Sequence, residues 1–185
     1  MTGEPPFSLL SSRPIYANRW IQVHEDRVIR PGGAEGVFGV VEMTPGATVL
    51  ALTPSRNVIL TMEYKYAVGR DSLELVSGGL DLGEEPLSAA KRELLEETGY
   101  TASTWHHVGR IDPFTTVVHS PNHLFIATQL SPGDRRLDVG EELSLHRVQL
   151  ERAFEMVMDG EITHGATCVL ILKAHYLVAS GQIRP

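Results

Sequence analysis

Apolar and polar positions alternate with turn formers along most of the chain, and they divide it into short extended runs and three helical stretches. Ala47–Thr53 and Val58–Tyr64 are apolar runs on either side of the turn residues Pro54–Asn57, and both read as strands. Upstream, Ile15 to Arg30 reads as strands, followed by a turn at Pro31-Gly32-Gly33, a further strand over Gly36–Met43 and a break at Pro45-Gly46. Residues 1–12, with Pro5 and Pro6 among small polar residues, read as a loosely held terminus. A short strand near Leu73–Val76 leads into Gly78-Gly79, and further strands are expected near His107–Ile111, His123–Gln129 and Leu143–Val148. Leu150–Met158 and Gly165–Ala179 carry helical patterning that ends near Gly160 and Gly181. Strands interspersed with helices indicate α/β organisation.

The remaining helix carries the chemistry. Pro86 suits a first turn, Gly99 suits a left-handed cap, and Leu87, Ala90 and Leu94 fall on one stripe at 3.6-residue spacing. Glu93, Glu96 and Glu97 occupy the adjoining edge in the last turns, with Arg92 beside them. Carboxylates three and four residues apart repel by roughly 0.2–0.5 kcal/mol per pair. Anions near a helix C-terminus also oppose its dipole. A cluster that costs stability twice points to cations that the sequence does not show. Mg²⁺ takes oxygen ligands and keeps room for phosphate oxygens. Were the cluster isolated, a solvated glutamate-rich helix would be the simpler reading.

The spacing extends well beyond the cluster. Gly78, Glu84, Arg92, Glu93, Leu94, Glu96, Glu97, Gly99 and Tyr100 fit the pattern G-x5-E-x7-R-E-U-x-E-E-x-G-U, where U is a bulky apolar residue. Every fixed polar or glycine position is present, and Tyr100 is an aromatic variant at the last. On these residues the chain resembles the Nudix hydrolases. The resemblance implies an α/β fold, the Nudix α/β/α sandwich with a mixed β-sheet, and an N-terminal antiparallel β extension. Residues 1–44 would be that extension, taking part in a homodimer, and residues 45–185 the hydrolase domain.

The segments MEYKYAVGRDSLELVSGG, HLFIATQL and EELSLHRVQLERAFEMVMDGEITHGATCVLIL are most similar to the ADP-ribose pyrophosphatase and nucleoside-diphosphate-sugar hydrolase branch. That branch usually has Gln-x-Arg where this chain has Glu63-Tyr64-Lys65, and Glu-x-Pro-Ala-Gly where it has Glu74-Leu75-Val76-Ser77-Gly78. By resemblance, Glu93 and Glu97 are the principal ligands of Mg²⁺ (Mn²⁺ as the alternative), completed by Glu96 and the Ser77 carbonyl. Arg92 orients the cluster through Glu84, and Lys65, assisted by Arg70, meets the diphosphate. The general base falls in the acidic stretch Asp138, Glu141, Glu142, with Glu141 and Glu142 preferred and Glu161 a weaker candidate. Trp20 and Phe38 are the candidates for stacking on a nucleobase, although for either residue alone ordinary core or interface packing is the favoured reading.

The implied reaction is hydrolysis of a diphosphate linkage, ADP-ribose giving AMP and ribose 5-phosphate. The alternatives are another nucleoside-diphosphate sugar, and a non-catalytic domain that senses a nucleotide.

Composition narrows the setting. The chain has 185 residues, enough for one domain with a small extension, and a formal net charge of −7. That charge disfavours nonspecific nucleic-acid binding, and the partner that the resemblance implies is a small nucleoside diphosphate derivative, itself anionic, which needs local cations to overcome the field. No apolar run reaches membrane-spanning length, and a cytoplasmic setting with no membrane partner is the expectation. Cys168, the single cysteine, lies in an apolar helical stretch and reads as a structural thiol, while the eight histidines show no metal-binding spacing.

Overall fold

The computed structural model describes residues 5–136 and 142–185. These divide into two compact units, Pro45–Ile111 with Asn122–Pro185, and the residues up to Thr44 with Asp112–Pro121.

The larger unit is built on strands β4 (Gly46–Leu52), β5 (Asn57–Lys65), β6 (Arg70–Gly79), β7 (Tyr100–Ile111), β9 (Asn122–Pro132) and β10 (Ser144–Gln149), with helices α1 (Pro86–Thr98), α2 (Leu150–Met158) and α3 (Gly165–Ala179). Its strands form one sheet in the order β10-β5-β6-β4-β9-β7, and β4 also pairs with β5. The β4–β9 pair is parallel and the other pairs are antiparallel, so the sheet is mixed.

Both faces of this sheet are covered. Every residue of β4 from Ala47 to Leu52 is buried. Successive strand side chains point to opposite faces. Leu50, Leu52, Val58, Leu60 and Leu75 therefore pack with Leu150, Ala153, Leu170 and Ile171 of α2 and α3. Val49, Ala51, Ile59 and Val76 pack with Ala89, Ala90 and Leu94 of α1. Two covered faces explain why β4 and β5 read as nearly continuous apolar runs instead of alternating ones. The outcome is the expected α/β/α sandwich.

Helix α1 begins at Pro86, and Gly99 ends it at φ 74° with its N–H bonded to the Leu95 carbonyl at 2.8 Å. A side chain there would be strained, and its Cβ would sit 2.8 Å from the Gly133 carbonyl oxygen. The buried stripe is Ala89, Ala90, Leu94 and Thr98, whereas Leu87, expected on it, remains 37% exposed in the first turn. Thr98 tolerates burial because its hydroxyl donates to the Leu94 carbonyl at 2.5 Å.

The smaller unit is a sheet of β1 (Ser8–Ala17), β2 (Ile21–Ile29), β3 (Glu35–Met43) and β8 (Val118–His119), in the order β1-β2-β3-β8. The first three are antiparallel, and β8 runs parallel to β3 through Val41–Val118 and Glu42–His119. Residues 8–12, expected in a loose terminus, belong to β1 and pair with β2 from Ser8–Ile29 to Ser12–Asp26. Their SLLSS sequence lacks an apolar alternation, so the ladder with β2 decides their state. Strand β8 is too short to leave a pattern. Strand β7, at the edge of the larger sheet, extends well before His107 because an edge tolerates polar residues such as Thr101 and Ser103.

Among the described residues of the strands of this unit Val28 is buried, while Leu9, Leu10, Ile15, Tyr16 and Val37 are exposed. Among the described residues no helix is long and apolar enough to cross a membrane.

Leu94 is fully buried in the layer under α1. Replacing it with alanine is expected to lower unfolding free energy by about 2–5 kcal/mol in urea titrations, and a loss under about 1 kcal/mol would contradict this packing.

Candidate active site

The site starts where β6 ends. Ser77 lies on β6 opposite Thr48 of β4, and Gly78 follows it opposite Ala47. A Cβ on Gly78 would overlap the Glu93 carboxylate, so the absence of a side chain gives Glu93 its seat against the strand. Only glycine allows this close approach of backbone and carboxylate.

From Gly79 the chain turns through a short loop into α1, and Arg92 ties loop to helix. Its Nε donates to Glu84 Oε1 at 3.2 Å and its Nη2 to Glu84 Oε2 at 2.9 Å, a two-pronged pair. Nη2 also donates to the Gly79 carbonyl at 2.9 Å. Nη1 donates to Glu93 Oε1 at 2.7 Å and to Glu96 Oε2 at 3.1 Å. The backbone N–H of Asp81 donates to Glu84 Oε2 at 2.9 Å. The guanidinium hydrogen bond holds the Glu84 carboxyl below the usual carboxylate range, against a smaller opposing effect of burial. The Glu84 hydrogen bond in turn raises the already high pKa of Arg92, with Glu93 and Glu96 adding to the effect. The arginine is a fixed positive charge at the centre of three glutamates.

The C-terminal end of α1 is closed by residues 133–136. Arg135 Nε donates to the Glu97 carbonyl at 2.5 Å, the Arg136 N–H to the Glu96 carbonyl at 3.0 Å, and the Gly133 N–H to the Gly99 carbonyl at 2.6 Å. These donors satisfy carbonyls that a helix end leaves without intrahelical partners, and the two arginines suit the negative end of its dipole. Arg135 Nη2 also donates to the Leu143 carbonyl at 2.8 Å. Sequence reasoning missed both arginines, because their only signal is two cations in a loop far from the helix.

Lys65 and Glu63 lie on β5 and bond directly to each other. Burial acts against the Lys65 ammonium, but the Glu63 hydrogen bond and the charges of Glu74, Glu63 and Glu97 outweigh it and raise its pKa. Lys65 therefore lies within the electrostatic reach of the acidic helix. Opposite Lys65 in register, Arg70 reaches Thr163 Oγ1 at 2.6 Å. Glu74, opposite Thr61, is nearly buried and meets His164 Nδ1 at 3.3 Å. The same nitrogen lies 2.9 Å from Thr167 Oγ1, which accepts the Leu75 N–H at 2.9 Å. Burial pushes His164 below the usual imidazole range, aided by Lys65 and opposed by Glu74. The Glu74–His164 contact was also missed, since a lone histidine 90 residues downstream carries no spacing signal.

Glu142 is exposed and lines an open groove of about 670 Å³ with Met62, Glu63, Tyr64, Asp71, Leu143 and Ser144. Asp138, Gly140 and Glu141 lie outside the described residues. Glu161 is held by Arg152 at 2.7 Å, where it serves a surface ion pair. Trp20 and Phe38 belong to the smaller unit. Trp20 is 59% exposed with the Arg19 guanidinium 4.0 Å above its ring, and Phe38 meets Phe7 edge-on at 5.7 Å. His119 pairs with Glu42 at 2.8 Å in that unit, and the His107 and His123 rings lie 5.6 Å apart in the larger one. Cys168 donates to the Ile162 carbonyl at 3.3 Å, and burial pushes its thiol up, away from nucleophilic use.

Among the described residues no three His, Cys, Asp or Glu side chains stand as a ready-made metal cluster. Glu93 and Glu96 each commit an oxygen to Arg92 instead. The donor set is nevertheless all oxygen, which fits a hard divalent cation.

Comparison with known proteins identifies the family. The family model for the NUDIX domain matches residues 43–164, and that for the nucleoside diphosphate sugar hydrolase N-terminal domain matches residues 8–41. The chain is 29% identical to an ADP-ribose pyrophosphatase of Bacillus subtilis (strain 168), over 88% of this chain and 89% of that one. It is also 29% identical to an ADP-ribose pyrophosphatase of Mycobacterium tuberculosis, over 99% of this chain and 89% of that one. A crystal structure described as an ADP compounds hydrolase shares the fold, with a TM-score of 0.83 at 20% identity over 99% of this chain and all of that one. With more than half of its length matched by the family's own model, and with the loop, the helix and their charges arranged as described, the chain belongs to the Nudix hydrolases.

Proposed function

We propose that this protein hydrolyses the diphosphate linkage of ADP-ribose to give AMP and ribose 5-phosphate, using Mg²⁺. The observation that carries the reading is the set of glutamates gathered around Arg92 at the end of α1, within electrostatic reach of Lys65. The naming of two full-length relatives as ADP-ribose pyrophosphatases supports the choice of substrate.

Nudix hydrolases generally use divalent metals. Here Glu93 and Glu97, with Glu96 and the Ser77 carbonyl, would hold the ion. A bound divalent cation neutralises the diphosphate and lowers the pKa of coordinated water. Arg92 fixes the direction of the Glu93 and Glu96 carboxylates, and its two-pronged bond to Glu84 fixes Arg92 in turn. Lys65 offsets the charge of the diphosphate as a point charge, without the planar fork that arginine would bring. Glu141 or Glu142 takes the proton of the attacking water. Glu142 adjoins Leu143, whose carbonyl is tied to Arg135 and through it to the end of α1.

The departure at Lys65 favours one second reading, a different nucleoside-diphosphate sugar. A purely sensing role is disfavoured, because Glu93, Glu96 and Glu97 repel one another at the end of α1, a cost that a sensor has no need to keep. A homodimer through the smaller unit is part of the proposal. Exposed Leu9, Leu10, Ile15, Tyr16 and Val37 supply the apolar area that a sheet short of core has reason to bury.

A panel of ADP-ribose, ADP-glucose, GDP-mannose, NADH and diadenosine polyphosphates with Mg²⁺ or Mn²⁺, resolved by chromatography, tests the substrate. ADP-ribose should show the highest kcat/KM, and a far better rival would replace it. Glu97→Gln should lower kcat at least about a hundredfold while leaving the circular dichroism and melting profile intact; undiminished turnover would remove Glu97 from the mechanism. Sedimentation at micromolar concentration should return twice the chain mass, and a single-chain mass would exclude the dimer.

A further inference from the structure

Thr61, Glu63 and Lys65 continue, at every second position, the face of β5 that Ile59 presents to α1. On the partner strand Glu74, Ser72 and Arg70 stand opposite them in register. An ammonium and a carboxylate two residues apart on one strand face are therefore held on the side of the sheet where α1 carries Glu93, Glu96 and Glu97. They are bonded to each other, with 40% and 32% of their side chains exposed.

This pairing has a consequence for an anionic substrate. A diphosphate that approaches the Lys65 ammonium meets the Glu63 carboxylate at the same place. Coulomb repulsion from one unit charge then opposes what the other attracts. The neighbouring carboxylates of Glu74 and Glu97 deepen the negative field around Lys65. A free lysine would bind phosphate more tightly than one already neutralised.

We propose that Glu63 is an affinity-setting residue, holding the Lys65 ammonium in an internal ion pair that the substrate diphosphate must share or displace. The inference rests on the assignment of Lys65 to the diphosphate, and its test separates the two.

The test is a double-mutant cycle of Glu63→Gln and Lys65→Met, with the single variants, the double variant and the parent compared. ADP-ribose kinetics with Mg²⁺ give KM and kcat, and calorimetric titration with ADP gives an affinity that needs no turnover. Glu63→Gln should lower KM and the ADP Kd by up to about fivefold, the upper range for a partly exposed ion pair, with the change carried by KM and not by kcat. In the Lys65→Met background the same substitution should change neither value by more than about twofold. Glu63→Ala should act in the same direction, which guards against an effect peculiar to glutamine.

Unchanged or weaker affinity in both Glu63 variants would overturn the inference while leaving Lys65 in place. An equal gain in both backgrounds would also overturn it, since Glu63 would then act on the substrate without acting through Lys65. If Lys65→Met by itself leaves KM and Kd unaltered, the assignment of Lys65 fails and the inference fails with it.

Discussion

Three glutamates share one guanidinium in this protein, and most of what surrounds the acidic helix depends on that arrangement. Arg92 binds Glu84 through two nitrogens, Glu93 and Glu96 through a third, and the Gly79 carbonyl as well. Only a planar, permanently charged fork can serve so many acceptors in fixed directions; an ammonium would satisfy fewer, with less control of angle. The loop between β6 and α1 closes on the helix because Glu84 also accepts the Asp81 N–H. Loop conformation and carboxylate direction are thus one structural problem with one solution.

The same arrangement leaves charge at an unfavourable end of a helix, and the fold compensates locally. Arg135 and the backbone of residues 133–136 donate to carbonyls at the end of α1, and Gly99 turns the chain away in a left-handed conformation. Positive charge and N–H groups at this end oppose the unfavourable interaction between the glutamates and the helix dipole. The apolar stripe under α1 anchors it to the sheet, so the acids are held by packing on one side and by cations on the other.

The mixed sheet brings in residues from distant parts of the chain. Lys65 and Glu74 arrive on β5 and β6, and the start of α3 is fastened to β6 where Thr167 accepts the Leu75 N–H. His164, at the head of α3, touches both Glu74 and Thr167. Lys65 thus stands among Glu63, Glu74 and Glu97, whose negative charges favour its protonated form against the effect of burial. Such a lysine differs from an open phosphate trap, and substrate affinity must be judged on the whole group.

Much of this was legible before any coordinates. The bounds of α1, the apolar strands β4 and β5, and the placing of Arg92 beside Glu93 and Glu96 follow from short-range rules, because helix and strand periodicities fix which near neighbours share a face, whereas the tie of Arg92 to Glu84 in the preceding loop was implied by the family pattern. Leu87 escaped the expected stripe since the sheet contacts α1 at Ala89, Ala90, Leu94 and Thr98, a choice of rotation that periodicity alone does not make. The state of residues 8–12, the two-residue β8, the arginines closing α1 and the meeting of Glu74 with His164 were decided by the tertiary structure. Each joins segments far apart in the chain. Their partners are set by strand order and by which layer a helix covers, and neither quantity is written in the spacing of local residues.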